Sequence, residues 1–121
     1  MLRLPFQKLK VWQKGMELAQ RVYEASNKLP KEELYGLISQ LRRSAVSVPS
    51  NLAEGSQRTS DKDFANFVLI AKGSLAELET QILLSEQLHY LSKSQAAPLI
   101  NLIQELQKML RALHETLTAI R

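Results

Sequence analysis

The sequence predicts an all-α domain, an antiparallel up-down-up-down four-helix bundle, and three observations predict it. Apolar residues recur in alternating three- and four-residue steps over four separate segments. Turn-forming residues cluster between those segments, with only four Gly and four Pro in the whole chain. No stretch shows the two-residue alternation of a half-buried strand. A length of 121 residues suits one domain over residues 1–121, with a single core and a short N-terminal arm over residues 1–7.

The first helix is read from Leu9, Trp12, Met16, Ala19, Tyr23 and Ser26, with Val11, Leu18, Val22 and Ala25 as further apolar surface beside that seam. Asn27-Lys28-Leu29-Pro30 ends it, because Pro30 biases Leu29 away from helical geometry. The second helix carries Leu34, Ile38, Leu41, Ala45, Val48 and Leu52 and is expected to end at Gly55. Pro49 falls inside it and removes one backbone hydrogen bond, so a bend is expected near Ala45–Pro49. The third helix follows Ser60-Asp61-Lys62-Asp63, a capping side chain with two acids on the positive pole. Its seam is Phe64, Val68, Ala71, Leu75, Leu78 and Ile82, with Ser85 and His89 next in phase. The fourth runs through Leu99, Ile103, Leu106, Leu110, Leu113, Leu117 and Ile120; Ser92 with Gln95 resembles a capping box at its start, and Pro98 lies early in it. Short connections between the four predict antiparallel neighbours.

Composition excludes several classes. Without cysteine there is no disulfide framework and no thiolate metal site, which fits a reducing, cytoplasmic setting. No apolar run approaches the ~18 residues of a membrane span, and Met1–Phe6 lacks the pattern of a signal peptide, so no membrane partner is expected. The net charge is +4, with six Lys/Arg against two Glu in residues 1–28 and five acids against two Lys in residues 61–92.

Two helices carry faces that ask for a partner. Between Leu34 and Ala53 only Arg42 and Arg43 are charged, and the outward positions hold Ser39, Ser44, Val46, Ser47, Ser50 and Ala53. Small side chains let another backbone approach closely. Opposite the third helix's seam lie Ala65, Leu69, Gly73, Ala76, Thr80 and Leu83. A lone bundle would leave this surface as a large apolar patch, which soluble monomers rarely show. Burial by copies of the chain is the simplest remedy, with Ser39, Val46, Ser50, Ala53, Leu69, Gly73, Ala76 and Thr80 as candidate interface residues. The alternative is a wide intramolecular core with small residues at its surface.

The basic residues raise a second question. Lys8, Lys10 and Lys14 crowd the start of the first helix, where the helix dipole disfavours cations and no acid stands four residues away. Glu17–Arg21 and Glu24–Lys28 have that spacing. With Arg42 and Arg43, these lysines are the candidate contacts to nucleic-acid phosphates. The two arginines alternatively pair with Glu54, Glu77 or Glu79 across an interface.

An enzymatic reading finds little. No Gly-rich phosphate loop or nucleophile arrangement is present, and no cofactor or metal is expected. Glu86 and His89 form one Glu-x-x-His step, the unit of di-iron bundles, but a second copy and two more inward carboxylates are missing. His89 is expected to end the third helix and His114 to flank the fourth seam. Trp12, Phe64 and Phe67 are read as core rather than as base-stacking platforms.

Longer strings carry a resemblance. Leu9, Val11-Trp12-Gln13-Lys14, Met16–Ala19, the run from Tyr35 to Gly55, and Phe67, Ile70-Ala71, Gly73-Ser74 and Glu77–Gln81 together resemble the bacterial four-helix-bundle family of 23S rRNA intervening sequence proteins, over about residues 6–91. The resemblance implies a four-helix subunit, a homopentameric ring or barrel, and no enzymatic activity. A similar fold serves as the accessory subunit of diversity-generating retroelements, a basic pentamer that binds nucleic acid and a reverse transcriptase. The expectation is therefore a ring that binds RNA or DNA by charge and shape, each of five copies bringing +4. The runner-up is an oligomeric scaffold for a protein encoded by a neighbouring gene.

Overall fold

The computed structural model describes residues 3–119. Four helices make up the chain, α1 (Lys10–Ser26), α2 (Leu37–Ser56), α3 (Asp61–Gln87) and α4 (Lys93–Thr118). Single 3-10 turns at Phe6–Lys8 and Lys31–Glu33 precede α1 and α2, and no strand occurs among the described residues. The helices close a square in which α1 and α3 each pack on α2 and α4. This is an all-α four-helix bundle.

The helix ends follow their local chemistry. Ser60 accepts a hydrogen bond from the Asp63 N–H at 3.1 Å and so caps α3. At α4 the capping box is complete, with Gln95 N–H donating to Ser92 Oγ and Ser92 N–H to Gln95 Oε1. α3 ends in a reciprocal pair of backbone bonds, Tyr90 N–H to Ser85 O and His89 N–H to Glu86 O. That is the Schellman arrangement, which places His89 at φ 64°, a conformation usually left to glycine. His89 therefore lies outside the helix and exposed, not on the seam where the three-four spacing puts it.

Contacts of α2 with α1 and with α3 pair residue numbers that rise on one helix with numbers that fall on the other. Gly15 of α1 faces Val48 and Pro49 of α2, while Ser26 meets Arg42. Gly55 of α2 lies on Phe64 and Phe67 of α3, and Ser47 bonds Ser74 at 2.8 Å. Gln107 of α4 donates to the Lys72 carbonyl at 3.1 Å, and Lys14 reaches Glu105 at 3.0 Å. The core these contacts enclose includes Leu18, Val22, Leu41, Leu52, Leu75, Leu78, Ile103 and Leu106, all nearly inaccessible to water.

Several sequence expectations are corrected. α1 is rotated from its predicted seam, so Val11, Leu18 and Val22 are buried while Met16 and Tyr23 stand exposed. The buried face is the second apolar track of α1, where Leu18 and Val22 enter the core and Gly15 lies in ordinary contact with Val48 and Pro49 of α2. Leu34 precedes α2 and is exposed. Gly55 lies inside the last turn of α2 instead of ending it. Ser44 and Ala65, read as outward, are buried. Ile120 lies outside the described residues.

Candidate oligomer and nucleic-acid interfaces

The outer surface of α2 carries an open groove of about 700 Å³, lined by Tyr23, Tyr35, Arg42, Arg43, Val46 and Ser50, with Leu34 and Ser39 alongside. Tyr35, on the turn into α2, is 94% exposed, the barest large apolar side chain of the described chain. Among the groove's residues none is acidic. Two groups that sequence reasoning keeps apart, the small interface residues Ser39, Val46 and Ser50 and the pair Arg42 and Arg43, thus share one surface. Ala53, one turn further on, is half-buried.

The two arginines differ. Arg42 is engaged within the subunit, its Nε donating to Ser26 Oγ at 2.9 Å and its Nη2 to Asn27 Oδ1 at 3.0 Å. Its guanidinium also lies 4.8 Å from the centre of the Tyr23 ring, inside cation–π range. Arg42 closes the end of α1, a structural use that the sequence does not reveal. Arg43 is exposed and has no ion pair among the described residues. Within the subunit neither arginine pairs with Glu54, Glu77 or Glu79, and Glu54 is held by Arg58 at 3.1 Å.

On α3, Leu69, Gly73, Ala76 and Thr80 are all exposed, flanked by Ile70, Leu83 and Leu84, which are between two-fifths and one-half accessible. An added Cβ at Gly73 would meet nothing within 4 Å. A glycine inside a helix costs about 0.8–1.0 kcal/mol relative to alanine, and the subunit's own packing gives no reason for it. The wall of the groove nearest α3 is polar: Ser47 Oγ meets Ser74 Oγ, and Asn51 donates back to Ser47.

The early lysines are not one set. Lys8 belongs to the 3-10 turn, Lys10 begins α1, and both are exposed. Lys14 has an acidic partner after all, Glu105 of α4, which spacing along α1 alone does not disclose.

Nothing gathers around the remaining ionisable groups. Among the described residues, no three His, Asp or Glu side chains come together as a metal site would require, and no helix is long and apolar enough to cross a membrane. Trp12 packs edge-on to Phe6 with ring centres 5.4 Å apart, Phe64 is buried, and Phe67 lies half-buried under Arg58.

Comparison with the curated proteins returns no match. Among solved structures, the chain is similar to a protein of unknown function from the S23 ribosomal protein family of Bacteroides thetaiotaomicron VPI-5482, with a TM-score of 0.81 and 26% identity, over 87% of this chain and 98% of that one. Residues 7–112, spanning all of α1 to α3 and most of α4, match the family described as 23S rRNA-intervening sequence protein, and the chain belongs to that family.

Proposed function

We propose that this protein is a non-enzymatic, ring-forming bundle that binds the backbone of RNA or DNA through clustered Lys and Arg. One observation carries the reading: a single subunit leaves two different apolar faces bare, the Tyr35 groove on α2 and the Leu69–Gly73–Ala76–Thr80 face of α3. A two-fold dimer buries one face against itself, whereas a closed ring needs two unlike faces, each meeting the other on the next copy. Tyr35 has the character of an interface anchor, a large ring beside arginine and small neighbours. The resemblance points to five copies, which would multiply a modest net charge into a strong local field.

Light scattering at micromolar concentration is expected to return about five times the 13.7 kDa chain mass, and a monomer would sink the ring. Ala76→Glu inserts an unpaired charge into the proposed contact and should reduce the assembly to smaller species with the helical signal intact. An unaltered oligomer would show that α3 does not face a neighbour. Binding to RNA and DNA should weaken steeply with salt, about −0.9 in log–log slope for each duplex phosphate neutralised. If the wild-type ring ignores both at ~50 mM salt, where such contacts are strongest, the scaffold reading replaces the nucleic-acid one.

A further inference from the structure

The inter-helix contacts sort the bundle into two ends. Gly15 against Pro49, Gly55 against Phe67, Gln107 against Lys72 and Lys14 against Glu105 place residues 3–18, 46–75 and 104–119 at one end. Residues 19–45 and 76–103 form the other. The first end holds nine Lys/Arg and six Asp/Glu, the second six of each. What separates them further is how the acids are used.

Every ion pair among the described residues draws its acid from the first end. Asp61 is held by Arg3, Glu105 by Lys14, Glu54 by Arg58, Glu115 by Arg111, and Glu17 by Arg21. Only Asp63 of that end makes none. At the second end no acid is ion-paired among the described residues, although Glu33 accepts hydrogen bonds from the Leu37 N–H and the Tyr90 hydroxyl, and its six acids match its six cations in number. The first end is left with four exposed lysines that have no acidic partner among the described residues: Lys8 before α1, Lys10 at its start, Lys62 in the first turn of α3 and Lys108 on α4. Lys72, by contrast, is half-buried and near the midline. Stability accounts poorly for Lys10 and Lys62, since both sit in a first helical turn, where the dipole repels cations.

We infer that nucleic acid lies across this end of the bundle, its phosphates met by Lys8, Lys10, Lys62 and Lys108. The inference rests on the proposed function and adds the place: the end built from the start of α1, the α2–α3 turn and the later turns of α4. Ammonium groups on flexible stems around a helix-bundle end suit phosphates as point charges, with no geometry for reading base edges. Sequence preference is accordingly slight, and duplex RNA and duplex DNA share the contact. The placement also leaves the α2 groove and the α3 face free for neighbouring copies.

Two matched variants test it. Lys10→Gln/Lys62→Gln/Lys108→Gln removes three charges from this end, and Lys28→Gln/Lys31→Gln/Lys93→Gln removes three from the other. Binding to a duplex RNA and a duplex DNA of the same sequence is measured by fluorescence anisotropy across a salt series, after circular dichroism and light scattering show fold and assembly unchanged. The first variant should bind both duplexes at least tenfold more weakly, its slope lowered by about 0.9 for each phosphate no longer neutralised. The second should stay within twofold of wild type. Equal weakening by both variants would overturn the inference, since binding would then follow net charge alone, and so would loss of binding on Arg43→Gln only. Equal affinity for poly-glutamate would also overturn it, in favour of an acidic protein partner. Absence of wild-type binding at ~50 mM salt would instead remove the proposed function itself. If the triple variant does not fold, Lys62→Gln and Lys108→Gln singly report the same change, each expected to weaken binding where Lys93→Gln does not.

Discussion

Replacing Gly55 by alanine should loosen the bundle, and the size of the effect follows from three distances. A Cβ built at Gly55 lies 2.6 Å from Phe67 Cβ, 3.0 Å from Phe64 Cδ1 and 3.2 Å from Phe67 Cγ. Carbon atoms rest comfortably at about 3.5–4.0 Å, so the shortest contact is too close by about 1 Å. Phe67 Cβ is bonded directly to the α3 backbone and cannot swing aside as a side-chain tip would. Relief requires α2 and α3 to move apart, at an overpacking cost near the upper end of about 1–3 kcal/mol. Against this, alanine recovers the helix-propensity deficit of glycine, about 0.8–1.0 kcal/mol. The expected net loss is about 2 kcal/mol, a fall in Tm of roughly 6–10 °C for a domain of this size. Gly15→Ala is the internal control: its Cβ would meet Pro49 and Val48 at 3.5 Å, an ordinary contact. That variant should gain about 0.5–1 kcal/mol. Urea denaturation followed at 222 nm measures both at one protein concentration, because association would shift the apparent stability. If Gly55→Ala is as stable as Gly15→Ala, the close packing of α2 on Phe67 does not constrain the fold and the reasoning fails.

Other outcomes follow from single sites. His89→Gly relieves a left-handed backbone at the end of α3 and should stabilise by about 1 kcal/mol in urea titrations; a loss of stability would mean that the imidazole makes a compensating contact. Gln81 is buried with its Oε1 atom unpaired, so Gln81→Met should be neutral or stabilising by about 1 kcal/mol, and a strongly destabilised variant would reveal a hidden partner. The Tyr90 hydroxyl donates to Glu33 Oε2 at 3.0 Å, and that hydrogen bond, with the neighbouring negative charge, raises the phenol above its ordinary 10.0. Native protein therefore holds the proton to higher pH than unfolded chain does. The stability gap between wild type and Tyr90→Phe should be complete below about pH 10 and shrink as pH climbs through the raised value; a gap independent of pH from 8 to 11 would refute the link. Gly73→Ala should raise the stability of the dissociated chain by about 1 kcal/mol while weakening self-association, read by unfolding at two concentrations. An increase in both would place Gly73 outside any contact.

The seams of α2, α3 and α4 can be read in the sequence because large apolar residues recur along them at helical spacing, from Ile38 to Leu52, Phe64 to Ile82 and Leu99 to Leu110. The face of α1 is misleading because it carries two adjacent apolar tracks, one through Trp12, Met16 and Tyr23 and one through Val11, Leu18 and Val22, and only the second enters the core. The caps at Ser60 and Ser92 are legible as short motifs, and His89 is legible as the end of α3, whereas its left-handed backbone is not, since His stands where glycine usually signals the turn. At the candidate surfaces, exposure of Leu69, Gly73, Ala76 and Thr80 agrees with their outward phase on α3. The partners of Lys14 and Arg42 are invisible in the sequence, because Glu105 is 91 positions from Lys14 and Ser26 is 16 from Arg42, on helices whose relative rotation no single segment encodes. Lys62 and Lys108 carry no sequence signal for the same reason: only the closed bundle brings them to one end with Lys8 and Lys10.

Arg3 ties the beginning of the chain to the turn between α2 and α3. Its guanidinium donates to the carbonyls of Ser56 and Arg58 and to Asp61, and it covers the Phe64 ring. These partners lie 53 to 61 positions away along the chain, so none of these bonds can form until α2 and α3 have met and the arm has been brought back across them. Such a clasp belongs to the late side of the folding barrier. Its contribution appears in how fast the native state opens, not in how fast it is reached. In a chevron plot, Arg3→Ala should raise the unfolding limb and leave the refolding limb almost where it was, giving this small bundle a persistence that its equilibrium stability alone does not describe.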